Sequence, residues 1–113
     1  MKIYTHEWYD HKTIYINDDC GFCKINIYDE PEQKIAELYD LIIYPEHRGN
    51  GDGDWLLTQA TLAAKEENCD VLVLWPDCEL WVEDWYKRHG FKENPKYQSS
   101  NNVPGWAKIL KEE

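Results

Sequence analysis

The chain has 113 residues, with 22 acidic against 12 basic side chains and a formal charge of −10. That length fits one domain around one core; a 42% hydrophobic content with six Trp and eight Tyr argues against disorder, and no apolar run approaches the roughly 20 residues of a membrane span. A surface this acidic repels nucleic-acid backbone and anionic membrane, and favours cationic partners such as amines or basic proteins.

The start, MKIYTHEWYDHK, has no hydrophobic stretch of signal-peptide type, so a cytoplasmic location is expected. MKIYTHEWY is expected to add a first strand. Residues 12–17 (KTIYIN) and 22–28 (FCKINIY) alternate apolar and polar side chains as half-buried strands do, with Asp18, Asp19 and Gly21 making the turn between them. DEPE (29–32) turns the chain into a third strand, about Lys34 to Tyr44, apolar on both faces near its end as suits a central strand. From Gly51 or Asp52 to about Asn68 the pattern becomes helical: Leu56, Ala60 and Ala63 share a face, Leu57 and Ala64 lie beside it, and Asp52 and Asp54 sit where a helix start welcomes negative charge. VLVLW (71–75) is a short buried strand stopped by Pro76. A second helix runs from Glu79 to His89 and ends at Gly90, and strands over 91–97 and 105–110 close the chain. Antiparallel hairpins followed by a βαβ crossover define an α/β (α+β) fold, a mixed and mostly antiparallel sheet with two main helices, in a single domain over 1–113.

Four cysteines are present. Cys20 and Cys23 form a CxxC pair, which could ligate zinc or cycle as a dithiol. Zinc needs two further ligands, and Cys69 and Cys78 flank VLVLW at opposite ends of one strand, too far apart to share an ion. A thioredoxin-like dithiol opens a helix, whereas this pair sits between two strands. Reduced structural thiols are expected, and no metal.

The turn HRGNGDGDWLL (47–57) admits several chemistries. A dinucleotide fingerprint fails because its last glycine falls on Asp54, and a P-loop fails for want of Gly-Lys-Ser/Thr. Asn50, Asp52 and Asp54 match the first, third and fifth positions of a calcium loop, but Trp55 stands where Gly belongs and Thr61 where Glu belongs. What remains is strand, R-x-x-G-x-G, helix: glycines let successive amides converge on one point and the helix start adds partial positive charge, an arrangement suited to a pyrophosphate.

The stretches AELYDLIIYPEHRGNGDGDWLL (36–57), VLVLW and WVEDWYKRHGF (81–91), in this order, resemble the GNAT acyltransferase superfamily over residues 35–91. The resemblance implies acetyl-CoA as cosubstrate and a cationic primary amine, either a small molecule or a protein lysine, as acceptor. It implies that Leu41, Ile42 and Ile43 pair with the pantetheine arm like an added strand. The cradle of the pyrophosphate falls to Arg48, Gly49, Asn50, Gly51, Asp52 and Gly53, and Ile43 N–H is the donor to the thioester oxygen. Tyr86 is implied as the acid that protonates the leaving thiolate, and Glu79 stands at a cofactor-binding position where Asn is common; Lys87 and Arg88, near these positions in sequence, are candidates for the 3′-phosphate. Glu37 matches the glutamate some members use to deprotonate the acceptor amine, with Asp40 as fallback.

Asp52 and Asp54 depart from the family pattern. One carboxylate about 7 Å from a phosphate costs roughly 0.6 kcal/mol in water and 2.4 at an effective dielectric of 20, so weak CoA binding is expected unless both side chains turn outward. Only some 33 residues precede the central strand, and they read as strands where the family usually places a pair of helices over the acceptor site; an open acceptor groove follows. Exposed aromatics and an open sheet edge favour a homodimer. A covalent route through Cys78 lacks a base. The rival from another class is a non-catalytic acidic protein on the same scaffold, engaging a basic partner or mimicking nucleic acid.

Overall fold

The computed structural model describes residues 1–76, 80–98 and 103–111. Cys78 and Glu79 lie outside them, and so do the side chains of Leu80 and Trp81. Seven strands, β1 (Lys2–Glu7), β2 (Lys12–Asp18), β3 (Gly21–Asp29), β4 (Lys34–Ile43), β5 (Val71–Leu74), β6 (Lys92–Asn94) and β7 (Gly105–Ile109), form one sheet in the order β1-β2-β3-β4-β5-β7-β6. Only β4 and β5 pair in parallel, joined by helix α1 (Asp52–Glu66); α2 (Leu80–Arg88) follows β5. The expected architecture holds, including the first strand. The expected strand over 91–97 is shorter. It stops at Asn94, because Pro95 has no N–H for a ladder and the Asn94 side chain accepts the Lys96 N–H at 3.0 Å, starting a 3-10 turn over Pro95–Tyr97.

Both helices pack on one face of the sheet. Leu56, Leu57, Ala60 and Ala64 of α1 meet Ile16, Cys23, Ile25, Ala36, Leu38 and Leu72 in the main core, with Trp85 and Tyr86 of α2 against it. The other face carries only a small cluster of Val71, Val73 and Ala107, joined by Ile35 and Tyr97. Each helix ends through a left-handed residue: Asn68 at φ 62° lets Cys69 N–H reach the Ala64 carbonyl, and Gly90 at φ 92° lets Phe91 N–H reach that of Tyr86. Phe91 thereby lands fully buried.

The third strand owes its two-faced appearance to a bulge. Leu38 pairs with Ile25 and Asp40 with Lys24, leaving Tyr39 without a counterpart. The bulge shifts the alternation by one residue: Ala36 and Leu38 face the helices before it, and Leu41 and Ile43 after it. Tyr39 itself is 60% exposed.

At the far end of the same ladder Gly21 lies against Ile43, where an added Cβ would collide with the Ile42 carbonyl oxygen. Two main chains meeting so closely cannot separate without breaking the hairpin from β4. Gly21→Ala is therefore expected to lower stability by about 1–3 kcal/mol, read as a reduced midpoint in urea at unchanged m-value; an unchanged midpoint would mean the strands do not approach this closely.

Candidate active site

β4 and β5 are in register only at Ile35–Val71, Ala36–Leu72 and Glu37–Val73, and beyond Glu37 they part. Into this opening β4 turns unpaired main-chain groups. Tyr44 N–H bonds to the Cys20 carbonyl on the β3 side at 2.8 Å. An antiparallel ladder alternates, so with pairs Ile42–Phe22 and Leu41–Cys23 in register, the amides and carbonyls of Leu41 and Ile43 face away from β3, toward the gap. Arg48 Nε donates to the Ile43 carbonyl at 3.0 Å from that side.

The floor of the opening is the start of α1. Gly51 is its N-cap at φ 80° and no side chain caps it. The first helical bond runs from Trp55 N–H to the Gly51 carbonyl, which leaves the amides of Asp52, Gly53 and Asp54 to the solvent side with the positive end of the helix dipole behind them. Gly49, at φ 84°, supplies the second left-handed step of the loop.

The result is a groove of about 1000 Å³ between β4, the glycine loop and α2. It is lined by Leu41, Ile42, Ile43, Arg48, Gly49, Gly51, Gly53 and Tyr86, all expected from the sequence, and by His47, Asp54, Val82 and Trp85, of which only Asp54 had drawn notice there. Tyr86 enters edge-on between Trp85 and Phe91, with ring centroids 4.9 and 5.6 Å away. Asn50 and Asp52 are not among the lining residues. Lys87 lies apart as well, beside a separate depression, its ammonium 5.7 Å from the centre of the Trp106 ring.

The two suspect carboxylates have local partners. Asp52 Oδ2 lies 3.8 Å from His47 Nδ1. Asp54 Oδ1 accepts from Trp85 Nε1 at 2.8 Å and meets His89 Nε2 at 2.7 Å. The bond to His89, then that from Trp85, holds the Asp54 carboxyl below its ordinary 3.8. The same carboxylate ties the N-terminus of α1 to α2 across the groove.

Glu37 occupies the opposite face of the sheet, half-buried at the last registered pair before the strands part. It ends a directed chain: Trp8 Nε1 donates to Thr13 Oγ1 at 2.9 Å, Thr13 Oγ1 to Asn26 Oδ1 at 2.7 Å, and Asn26 Nδ2 to Glu37 Oε1 at 3.2 Å. Indole N–H can only donate, which engages a Thr13 lone pair and leaves its proton for Asn26 Oδ1. The Asn26 amide then points N–H at the carboxylate. One Glu37 oxygen is fixed as an acceptor. Asp40, on the same face, lies 3.9 Å from Lys24.

The thiols are held as thiols. Burial pushes Cys23 up to about 12 and Cys69 to about 11, and Cys20 rises from burial and from the bond to Asp18. All three are free and buried.

An acetyltransferase (GNAT) domain model matches residues 8–93, and the chain belongs to that family. Its sequence is 28% identical to an uncharacterised N-acetyltransferase of Methanocaldococcus jannaschii over 92% of this chain and 50% of that protein, so the chain spans about half the length of the curated relative it matches. Among solved structures it superposes on the PaiA N-acetyltransferase of Thermoplasma acidophilum in complex with coenzyme A (TM-score 0.62, 21% identity, 88% of this chain and 61% of that one). It superposes equally on Tetrahymena GCN5 (TM-score 0.66, 15% identity, 92% and 71%). Both likenesses concern the fold.

Because the folded carboxyl of Asp54 titrates below 3.8, its tie to α2 is complete above that pH and is lost as pH falls through the lower folded value. The Trp85 indole N–H resonance is expected to move as the pH falls below about 4. In Asp54→Ala that movement should vanish; an identical titration in the variant would show that the indole senses some other group.

Proposed function

We propose that this chain transfers an acetyl group from acetyl-CoA to a primary amine by direct attack in a ternary complex. One observation carries the proposal. At the parting of β4 and β5, an uncapped helix start and an unpaired strand edge meet Tyr86 on one side of the sheet, and an oriented carboxylate waits on the other.

The amides of Asp52, Gly53 and Asp54 would receive the pyrophosphate, aided by Arg48. The edge groups of Leu41 and Ile43 would pair with the pantetheine amides as a missing strand would. The partners of Asp52 and Asp54 reduce the repulsion that these acids would otherwise exert. Acetyl-CoA supplies an acyl group activated as a thioester.

Glu37 takes a proton from the acceptor ammonium, and the freed nitrogen lone pair forms the new C–N bond. Main-chain N–H donates to the carbonyl oxygen as negative charge collects there. Ile43 N–H is one candidate for that role; Leu41 N–H shares the edge and stands two residues, about 7 Å, nearer Glu37 and farther from the pyrophosphate loop. As the C–S bond breaks, Tyr86 O–H gives its proton to the sulfur and regains one from water. The nitrogen's second proton leaves through Glu37. The balance is amide, free CoA thiol and one released proton. Asn26 is a positioning residue: it aims Glu37 and touches no reactant.

The rival, an acidic binder without catalysis, makes the opposite forecast in a simple measurement. Acetyl-CoA at ten times its Kd should stabilise the protein by about 1.4 kcal/mol, a rise in Tm of several degrees, and a binder of basic partners would show none. Tyr86→Phe should keep that rise while kcat falls about 100-fold or more; undiminished turnover would remove Tyr86 from the chemistry. Asn26→Ala should slow the wild-type enzyme and add nothing in a Glu37→Gln background. An additive loss there would mean that Asn26 merely supports the fold.

A further inference from the structure

On the open face, beside Glu37, the sheet carries a second hollow of about 280 Å³. Its floor is Ile35 and Val73, and its walls are the rings of Tyr28, Trp75 and Tyr97. Glu37 stands at one end, where the strands part, and Glu30 stands at the β3–β4 turn, its N–H bonded to the Gln33 carbonyl at 3.1 Å.

The walls are fixed rather than draped. Trp75 Nε1 donates to the Tyr97 carbonyl at 3.0 Å, and Tyr97 Oη exchanges bonds with the Gln33 amide at 2.6 and 3.2 Å. Gly105 permits this: a Cβ there would strike the Tyr97 carbonyl oxygen and press on Trp75 Nε1 at 3.2 Å. With their polar ends engaged, these two rings have carbon and π-electrons left to offer a ligand. The Lys96 ammonium already sits 5.7 Å from the Tyr97 ring centre, so an aromatic of this wall accepts a cation within the protein itself.

An apolar floor, aromatic walls and a carboxylate at each end suit an alkyl chain charged at both ends. Gln33, beside Glu30, stands four residues before Glu37, about 13 Å along the direction of β4. An extended diamine of about four to eight carbons spans that interval.

We propose that this hollow is the acceptor site and that the acceptor is an unbranched aliphatic diamine, one ammonium presented to Glu37 at the parting of the strands and the other held by Glu30 among Tyr28, Trp75 and Tyr97. The proposal rests on the acyltransferase reading, and binding and turnover separate the two.

Calorimetry of the intact protein without CoA compares 1,6-diaminohexane with 1-aminohexane. The diamine is expected to bind at least tenfold more tightly. Glu30→Gln, an exposed position that leaves the fold intact, should erase the difference, and Trp75→Ala should weaken the diamine further, with circular dichroism confirming its fold. Equal affinity for the two amines, or a preference that survives Glu30→Gln, overturns the proposal. Turnover with acetyl-CoA then tests the reading beneath it. Diamine bound tightly but never acetylated leaves the site standing and sinks the enzyme. Acetylation of a lysine peptide or monoamine with no preference for the diamine sinks the site and leaves the enzyme.

Discussion

Tyr39, the extra residue in β4, is the constraint on which the rest of the structure depends. By leaving one position without a partner it turns Leu41 and Ile43 toward the helices, and it does so in the stretch where β4 has already parted from β5. A continuous parallel pair would satisfy every main-chain group in this region. The parting leaves the edge groups of Leu41 and Ile43 facing the space between the strands, where Arg48 Nε meets the Ile43 carbonyl and a ligand or water can satisfy the others. The glycine loop and the start of α1 then close the lower end of that space, and α2 closes its side.

Charge is handled differently on the two faces of the sheet. On the helix side Asp54 is engaged by Trp85 and His89, and Asp52 lies 3.8 Å from His47. On the open side Asp40 lies beside Lys24 and Glu37 keeps one oxygen without a bond from Asn26. Glu37 is held by one oxygen through a chain that begins at an indole and permits only one direction of donation. A net charge of −10 is compatible with an anionic cosubstrate where the acid nearest the cradle, Asp54, is bonded to Trp85 and His89.

The glycine loop and the helix behind it were legible from residue types, and Leu41, Ile42, Ile43 and Tyr86 were placed beside them by the resemblance to the acyltransferase family. Glycines at 49 and 51 are needed for positive φ, the apolar periodicity of 56–64 places one helix face on the core, and Leu41, Ile42, Ile43, Arg48, Gly49, Gly51, Gly53 and Tyr86 fall together while Asn50 and Asp52 do not join them. The bulge left a faint mark, since the inward-facing residues step from Leu38 to Leu41 by three where a regular strand steps by two. It is the same irregularity that makes the strand look apolar on both faces. The rest depends on contacts distant in sequence. Trp8 reaches Glu37 through Thr13 and Asn26 across three strands, and nothing in KTIYIN or FCKINIY distinguishes those two polar residues from ordinary outward-facing ones. Lys87 was placed by proximity in sequence, but the helix turns it toward Trp106, away from the groove. Asp54 carries no sequence sign of its partners, because Trp85 and His89 are brought to it only by the packing of two helices.

Only three registered pairs join the leaf β1–β4 to the leaf β5–β7–β6. The seam between them is no longer than the ladder that joins β6 to β7, and it runs straight into the groove. Any molecule that lies along it, bonded to one leaf and packed on the other, acts as a splint, so the amount of folded protein and the supply of that molecule become linked quantities. A chain built in this way wears its binding site as a structural joint, and a loss of occupancy would be felt first as a loosening of the joint.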